Sequence, residues 1–147
     1  MITKKGPKVL EYNVRFGDPE TQSLLPLLES DLAEIMMACT QDSLGSVELA
    51  ISKKHAATVV VAAGGYPGSY PKGTPMSLSK TPEGVYLFHA GTGMKNGQLQ
   101  TSGGRVIAAT STGATLAEAV ASAYEGVKCI KFEGMQFRKD IAARALR

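Results

Sequence analysis

Polar and apolar positions alternate most regularly between Lys8 and Glu20, in KVLEYNVRFGDPE. Strand side chains point alternately to opposite faces, so Leu10, Tyr12, Val14 and Phe16 form one apolar face while Glu11, Asn13 and Arg15 line the other. Gly17 turns a chain tightly, Asp18 is a favoured N-cap and Pro19 suits the first helical position. The strand is therefore expected to end in a turn that opens a short helix over Pro19–Leu25, interrupted by Pro26. Ser30 is the expected cap of a second helix reaching about Thr40. There Leu32, Ile35, Met36 and Cys39 recur at i, i+3, i+4 and i+7 as a core-facing stripe. Gln41–Ser46 reads as a loop and as the boundary between two units, 1–45 and 46–147.

The second unit changes pattern. Ala57–Ala63, ATVVVAA, is a continuous apolar, β-branched run of the kind found in buried strands. It gives way to GGYPGSYPKG, Gly64–Gly73, a loop by its glycines and prolines. Val85–His89 is the next strand, and Lys95-Asn96-Gly97-Gln98 carries the Asn-Gly signal of a tight hairpin leading into Leu99–Thr101. Arg105–Thr110 follows Gly103-Gly104 as a further strand. Thr115–Glu118, TLAE, is a capping box, and Leu116, Val120, Ala123 and Val127 give the following helix a buried stripe. Ile130–Phe132 returns as a short strand, and the basic tail FRKDIAARALR reads as partly helical. The fold class is α+β, with a small, mostly antiparallel sheet or half-barrel carrying one helix.

Composition narrows the partners. In 147 residues, 44% hydrophobic and 20% charged, a formal net charge of +3 is spread without a Lys or Arg run, which gives no sign of a nucleic-acid or membrane partner. No apolar run approaches a membrane span and MITKKG lacks a signal-peptide core, so the chain reads as cytosolic. Cys39 and Cys129, without CxxC spacing, are expected as buried free thiols.

The polar face of the first strand is the main candidate site. A carboxylate and an amide oxygen two residues apart lie roughly 7 Å apart at their backbones and can converge on one hard cation. Mg²⁺ is typically held by one or two carboxylates plus substrate phosphates, which matches Glu11 and Asn13 beside Arg15. A solvated strand face is the competing explanation. The helix that follows turns its free N–H groups toward the end of this strand, adding an anion-favouring pole. In the second unit, the Gly64–Gly73 loop is either a surface connection or a lid, and Gly103-Gly104 with Arg105 is either an anion nest or a plain turn into the strand. His89 has no second histidine nearby and reads as a hydrogen-bonded structural residue.

LEYNVRFGDPETQ resembles the signature of the glycinamide ribonucleotide synthetases (phosphoribosylamine–glycine ligases), ATP-grasp enzymes of purine synthesis, in a form similar to fungal members fused to aminoimidazole ribonucleotide synthetase. The likeness continues through a GYPxxYxKG segment at Tyr66, Pro67, Tyr70, Lys72 and Gly73 and through RKDI near the C-terminus. Ala142 departs from it, since the family commonly has glycine there. The resemblance implies that 1–45 is the C-terminal portion of an ATP-grasp domain and 46–147 the family's C-terminal domain, a rudimentary hybrid motif. The N-terminal and nucleotide-clamp domains would lie elsewhere on the polypeptide. It implies ATP, glycine and 5-phosphoribosylamine as substrates and a glycyl phosphate intermediate. Glu11 and Asn13 would hold Mg²⁺ (or Mn²⁺), and Arg15 would be the catalytic residue that stabilises the acyl phosphate and the later oxyanion. Gly17 and Asp18 would contact substrate, Asp18 near the glycine ammonium, and Lys72 would contact phosphate. No protein nucleophile is evident, which suits a reaction whose nucleophile belongs to a substrate. The alternatives are a non-catalytic fragment or binding module, and an ATP-grasp ligase for another carboxylate.

Overall fold

The computed structural model describes all 147 residues. A two-residue pair, β1 (Ile2–Thr3) and β2 (Gly6–Pro7), opens the chain, followed after Lys8–Glu20 by the helix α1 (Thr21–Leu24), a 3-10 turn Leu25–Leu27 and α2 (Leu32–Thr40). The remainder supplies β3 (His55–Ala62), β4 (Met76–Leu78), β5 (Val85–His89), β6 (Thr92–Lys95), β7 (Gln98–Thr101) and β8 (Arg105–Gly113), then α3 (Leu116–Lys128), β9 (Ile130–Phe132) and β10 (Gln136–Phe137). The main sheet runs β10-β3-β8-β5, all antiparallel, beside the separate pairs β4-β9 and β6-β7.

β3 and β8 are the long central pair, in register from His55↔Gly113 to Val61↔Ile107, with a bulge before Ala62↔Arg105. The run ATVVVAA does not bury both faces equally. Ala57, Val59 and Val61 are buried, whereas Thr58 and Val60 between them are half-buried. α3 covers one face of this pair, and its Ala119, Val120, Ala123 and Val127 join the buried strand residues in one core. Thr115 caps that helix as expected, its hydroxyl accepting from the Glu118 N–H at 3.2 Å while the Glu118 carboxylate accepts from the Thr115 N–H at 3.2 Å. The helix lies close to the sheet at Gly126, where a Cβ would stand 2.5 Å from Val85 Cγ1 and 3.1 Å from Ala109 Cβ. α1 and the turn after it cover the other face, through a hydroxyl ladder from Ser23 to Thr58 (2.7 Å) to Thr110 (2.8 Å).

Several expectations are met. The hairpin turn is Asn96-Gly97, both at positive φ (52° and 76°), joining β6 to β7. Others are corrected. Residues 8–16 form no strand, and their apolar positions are exposed, Val14 at 93% and Phe16 at 51%. A strand needs a neighbour for its N–H and C=O groups, and beyond Lys8, which exchanges hydrogen bonds with Met1, no segment of this chain lies alongside to supply one. Asp18 is not the cap of α1: the helix begins at Thr21 with Glu20 at its N-cap, and Asp18 turns its side chain elsewhere. For α2 the cap is Asp31, which accepts from the Ala33 and Glu34 N–H groups at 2.7 and 3.3 Å. Ser30 instead ties the helix start to Glu48 and Ala50. The inner stripe of α2 is Leu32, Ile35 and Ala38, while Met36 and Cys39 are exposed. Neither thiol is fully buried, since Cys129 is half-covered with its sulfur near the Lys80 and Glu125 carbonyls. The tail forms turns rather than helix, with Ala142 at φ 61°.

The close approach at Gly126 gives a test. Gly126→Val should lower the unfolding free energy by about 1–3 kcal/mol through overpacking against β5 and β8. Gly126→Ala should cost less, because helix propensity offsets part of the clash. Urea denaturation that finds the valine variant as stable as the parent would show that the helix does not sit this close.

Candidate functional site

Although residues 8–16 are not a strand, Glu11 and Asn13 project together. The Asn13 amide nitrogen donates to Glu11 Oε1 at 3.3 Å, and both groups are exposed. An amide that donates through its nitrogen keeps its carbonyl oxygen for another partner. Arg15 lies further along the same segment, its guanidinium near the Phe16 carbonyl at 3.5 Å. It also flanks Gly17, where a Cβ would meet the Glu20 carboxylate and stand 2.9 Å from Arg15 Nη1. The Gly17 carbonyl accepts from the Thr21 N–H at 3.0 Å and from the Thr21 hydroxyl, which closes the turn into α1.

Asp18 is the hinge of this arrangement. One carboxylate oxygen takes the Gln22 amide at 3.4 Å; the other meets Arg105 Nη2 at 3.1 Å, and the Asp18 carbonyl accepts from Arg105 Nη1 at 2.8 Å. Arg105 is the first residue of β8, so this grip ties the polar segment to the central strand pair. Beside it opens a cleft of about 420 Å³ lined by Gly17, Asp18, Thr21, Gln22, Leu25 and Phe88–Ala90. Gln22 Oε1 is buried there without a hydrogen-bond partner. His89, on the same rim, is hydrogen-bonded to the Thr92 hydroxyl at 3.0 Å. Sequence reasoning weighed Arg105 only as charge for an anion nest and passed over Gln22. The Gly103-Gly104 turn is a plain one, its Gly103 N–H taken by the Gly91 carbonyl at 3.2 Å. Contact between positions 18 and 105 could not be read from a chain in which they lie far apart.

The Gly64–Gly73 loop is anchored at both ends. Gln136 donates to the Ala63 and Tyr66 carbonyls at 3.1 and 2.8 Å, and Gly73 N–H donates to Thr101 at 2.7 Å. Tyr66 and Tyr70 stack edge to face at 6.0 Å over Gly104, where any Cβ would strike their rings. Tyr66 and Pro67 share a second cleft of about 440 Å³ with Arg105, Gln136 and Arg138, so the start of the loop reaches the far side of the Arg105 grip. Lys72 is exposed and lines neither cleft, and nothing brings it together with Glu11, Asn13, Arg15, Gly17 or Asp18. At the tail, Arg138 and Asp140 form a two-point ion pair at 2.9 and 2.7 Å, and the Tyr124 hydroxyl clasps the same turn by donating to the Arg138 carbonyl and accepting from Ile141 N–H.

Fold and site together define an antiparallel α+β lobe with an exposed, oxygen-bearing segment tied through Asp18 to the start of β8. Residues 56–144 match the family model for the phosphoribosylglycinamide synthetase C domain, and residues 1–21 match that for the ATP-grasp (A) domain of the same synthetase. The chain is 52% identical over 147 residues to the bifunctional purine biosynthetic protein ADE1 of Schizosaccharomyces pombe, covering 99% of this chain and 19% of that protein. It is 49% identical over 150 residues to the phosphoribosylamine–glycine ligase of Synechocystis, covering 99% of this chain and 36% of the relative. A crystal structure of the phosphoribosylamine–glycine ligase from Thermotoga maritima superposes with a TM-score of 0.76 at 36% identity, over 97% of this chain and 35% of that one. The chain belongs to the phosphoribosylglycinamide synthetase family, and it spans roughly a fifth to a third of the length of these relatives. No helix is long and apolar enough to cross a membrane.

The tail pair yields a pH prediction. The hydrogen bond from Arg138 is the largest influence on the Asp140 carboxyl and holds it below the usual carboxylate range, against the opposing effect of burial and with further help from the arginine's charge. A depressed pKa means that whatever the pair adds to stability is present above the ordinary aspartate range and is lost as pH falls through the lowered value. Titration of Asp140 by carboxyl-carbon NMR should find its midpoint below that of an unpaired aspartate, and Arg138→Ala should return it to the ordinary range. A midpoint that ignores the substitution would assign the shift to something else.

Proposed function

We propose that this chain is part of an ATP-dependent ligase that joins glycine to 5-phosphoribosylamine, giving glycinamide ribonucleotide, ADP and phosphate. The observation that carries the reading is the meeting of Glu11 and Asn13 at 3.3 Å, in a chain of this family, on the segment that leads into the Asp18 turn. In this reading residues 1–45 end an ATP-grasp domain and 46–147 form the C-terminal domain. The partners are the other domains of the same polypeptide, including the nucleotide clamp, and the location is cytoplasmic.

The donor set fits a hard divalent ion. One carboxylate and one amide, already in contact and exposed, offer the oxygen ligands that Mg²⁺ or Mn²⁺ favours. No group of three or more His, Cys, Asp and Glu side chains gathers anywhere in the chain, so the remaining ligands would be phosphate and water oxygens. The ion, when bound by Glu11 and Asn13, would neutralise phosphate charge during transfer to the glycine carboxylate. Arg15 brings a permanent positive charge to the same segment, suited to the acyl phosphate and to the oxyanion formed when the amine of phosphoribosylamine attacks. Asp18 has acceptor capacity left after Gln22 and Arg105, since a carboxylate offers about four lone-pair sites, and this suits it to the glycine ammonium. Gly17 would contact substrate through its backbone, and its missing side chain makes room for the Glu20 carboxylate and the Arg15 guanidinium. Lys72 is assigned to phosphate by its loop, from a position that only the other domains would turn into a site.

Glycine-dependent release of ADP by a polypeptide carrying this chain with the regions its relatives have beyond it tests the whole reading, and its absence would reject it in favour of a non-catalytic module. ADP release driven by a different carboxylate would point to another ligase of the ATP-grasp class. In that polypeptide Glu11→Gln should raise the divalent-ion requirement by about tenfold or more. Asn13→Ala should do so less strongly, because a neutral ligand is lost. Kinetics at limiting Mg²⁺ that match the parent would remove both residues from the ion site.

Lys72 has its own test. Lys72→Ala should weaken the apparent affinity for ATP or phosphoribosylamine by roughly tenfold, the scale of one charge-assisted contact, with Tm nearly unmoved. If Tm falls while both affinities hold, the loop is purely structural.

A further inference from the structure

We propose that Arg105, on the central strand β8, is a positioning residue that sets the place and direction of the Asp18 carboxylate for substrate. For its glycine half the inference rests on the ligase reading above. Its structural basis is a count of connections. Residues 1–20 make only one polar side-chain link to residues 56–147, and it is the grip of Arg105 on Asp18. The hydroxyl ladder through Ser23 begins only after the turn.

The grip has two points of different kinds. Nη1 donates to the Asp18 backbone carbonyl at 2.8 Å, which fixes where the turn lies, and Nη2 meets the carboxylate at 3.1 Å, which fixes how the side chain points. A planar guanidinium serves both at once, and an ammonium does not. The backbone of the anchor is fixed: Arg105 pairs with Ala62 across the sheet at the bulge and gives its carbonyl to Gly91 N–H at 2.9 Å. Apart from this grip Asp18 is held only within its own turn, by the Gln22 amide on its carboxylate and by Thr21 on the Gly17 carbonyl, and the residues leading into that turn have no sheet partner. A donor tied to the sheet therefore sets where this locally closed turn and its carboxylate lie relative to the lobe, and misplacement of such a group lowers rate and affinity far more than stability.

Exposure argues against a mainly stabilising role. The two side chains are 38% and 52% exposed, a setting in which ion pairs contribute little to folding. Loss of Arg105 should therefore be felt at the site before it is felt in the fold.

The experiment uses the complete polypeptide with Arg105→Ala, Arg105→Lys, Asp18→Asn and the Arg105→Ala/Asp18→Asn double variant. Arg105→Ala should raise the KM for glycine about tenfold with a smaller change in kcat and little change in the KM for ATP. Arg105→Lys should recover only part of the loss, and the double variant should be no worse than the poorer single one. Hydrogen exchange should quicken at Gly17–Thr21 in Arg105→Ala, with β3 and β8 unaffected. Unchanged exchange at Gly17–Thr21 would overturn the positioning role whatever the kinetics. Quickened exchange with an unaltered glycine KM, or additive losses in the double variant, would overturn its link to substrate. A parent polypeptide that shows no glycine-dependent ADP release rejects the ligase reading and the glycine half with it, while the exchange result still decides whether Arg105 places Asp18.

Discussion

The antiparallel pairing of β3 with β8 is the constraint from which the rest follows. Because side chains alternate across a strand, one register sends Ala57, Val59 and Val61 into the core under α3 and leaves Thr58 to meet Thr110 on the opposite face. That second face is where Ser23 and α1 settle, so the N-terminal segment is docked by the same register that builds the core. The bulge next to Ala62 ends the regular ladder at Arg105, whose side chain leaves the sheet toward Asp18. A one-residue slip of the pair would exchange the faces and separate every one of these contacts.

Much of the lobe was legible because its signals are local. Asn96-Gly97 makes the turn its chemistry prescribes, Thr115 and Glu118 cap each other, and Val120, Ala123 and Val127 fall on the buried side of α3. Each depends on residues no more than a few positions apart. β4 and β10 escaped notice because two- and three-residue strands have no period to display, and they exist only where β9 and β3 provide edges. α2 shows a subtler failure. Its apolar positions are more numerous than its buried ones, so the pattern admits two stripes, and the one at i, i+3, i+4 and i+7 includes Met36, which is 53% exposed.

The candidate site divides along the same line. Glu11 and Asn13 were legible as a pair because spacing of two places side chains together in any extended backbone, whether or not it joins a sheet. Their 3.3 Å contact survives the loss of the strand for that reason. Local chemistry favours Asp18 as a helix cap, and a distant arginine takes the carboxylate instead. A cap and an ion pair compete for the same oxygens, and only the tertiary structure decides between them.

Glycine makes the meeting around Arg105 possible. The turn Gly103-Gly104 and the opposed Gly91 bring two backbone segments so close that a Cβ on Gly91 would stand 2.5 Å from Gly103 Cα. Gly104 gives the same freedom to the rings of Tyr66 and Tyr70, which lie where its side chain would be. The loop of Gly64–Gly73 is thereby packed onto the start of β8, and Tyr66 and Pro67 line one cleft with Arg105 while Asp18 lines another. Arg105 lines the first of these and bonds to Asp18 of the second, with its backbone fixed by the sheet. Arg105 thus lines the tyrosine cleft and grips Asp18 of the other, and the glycines that admit the tyrosines let that loop pack beside the strand end from which the grip is made.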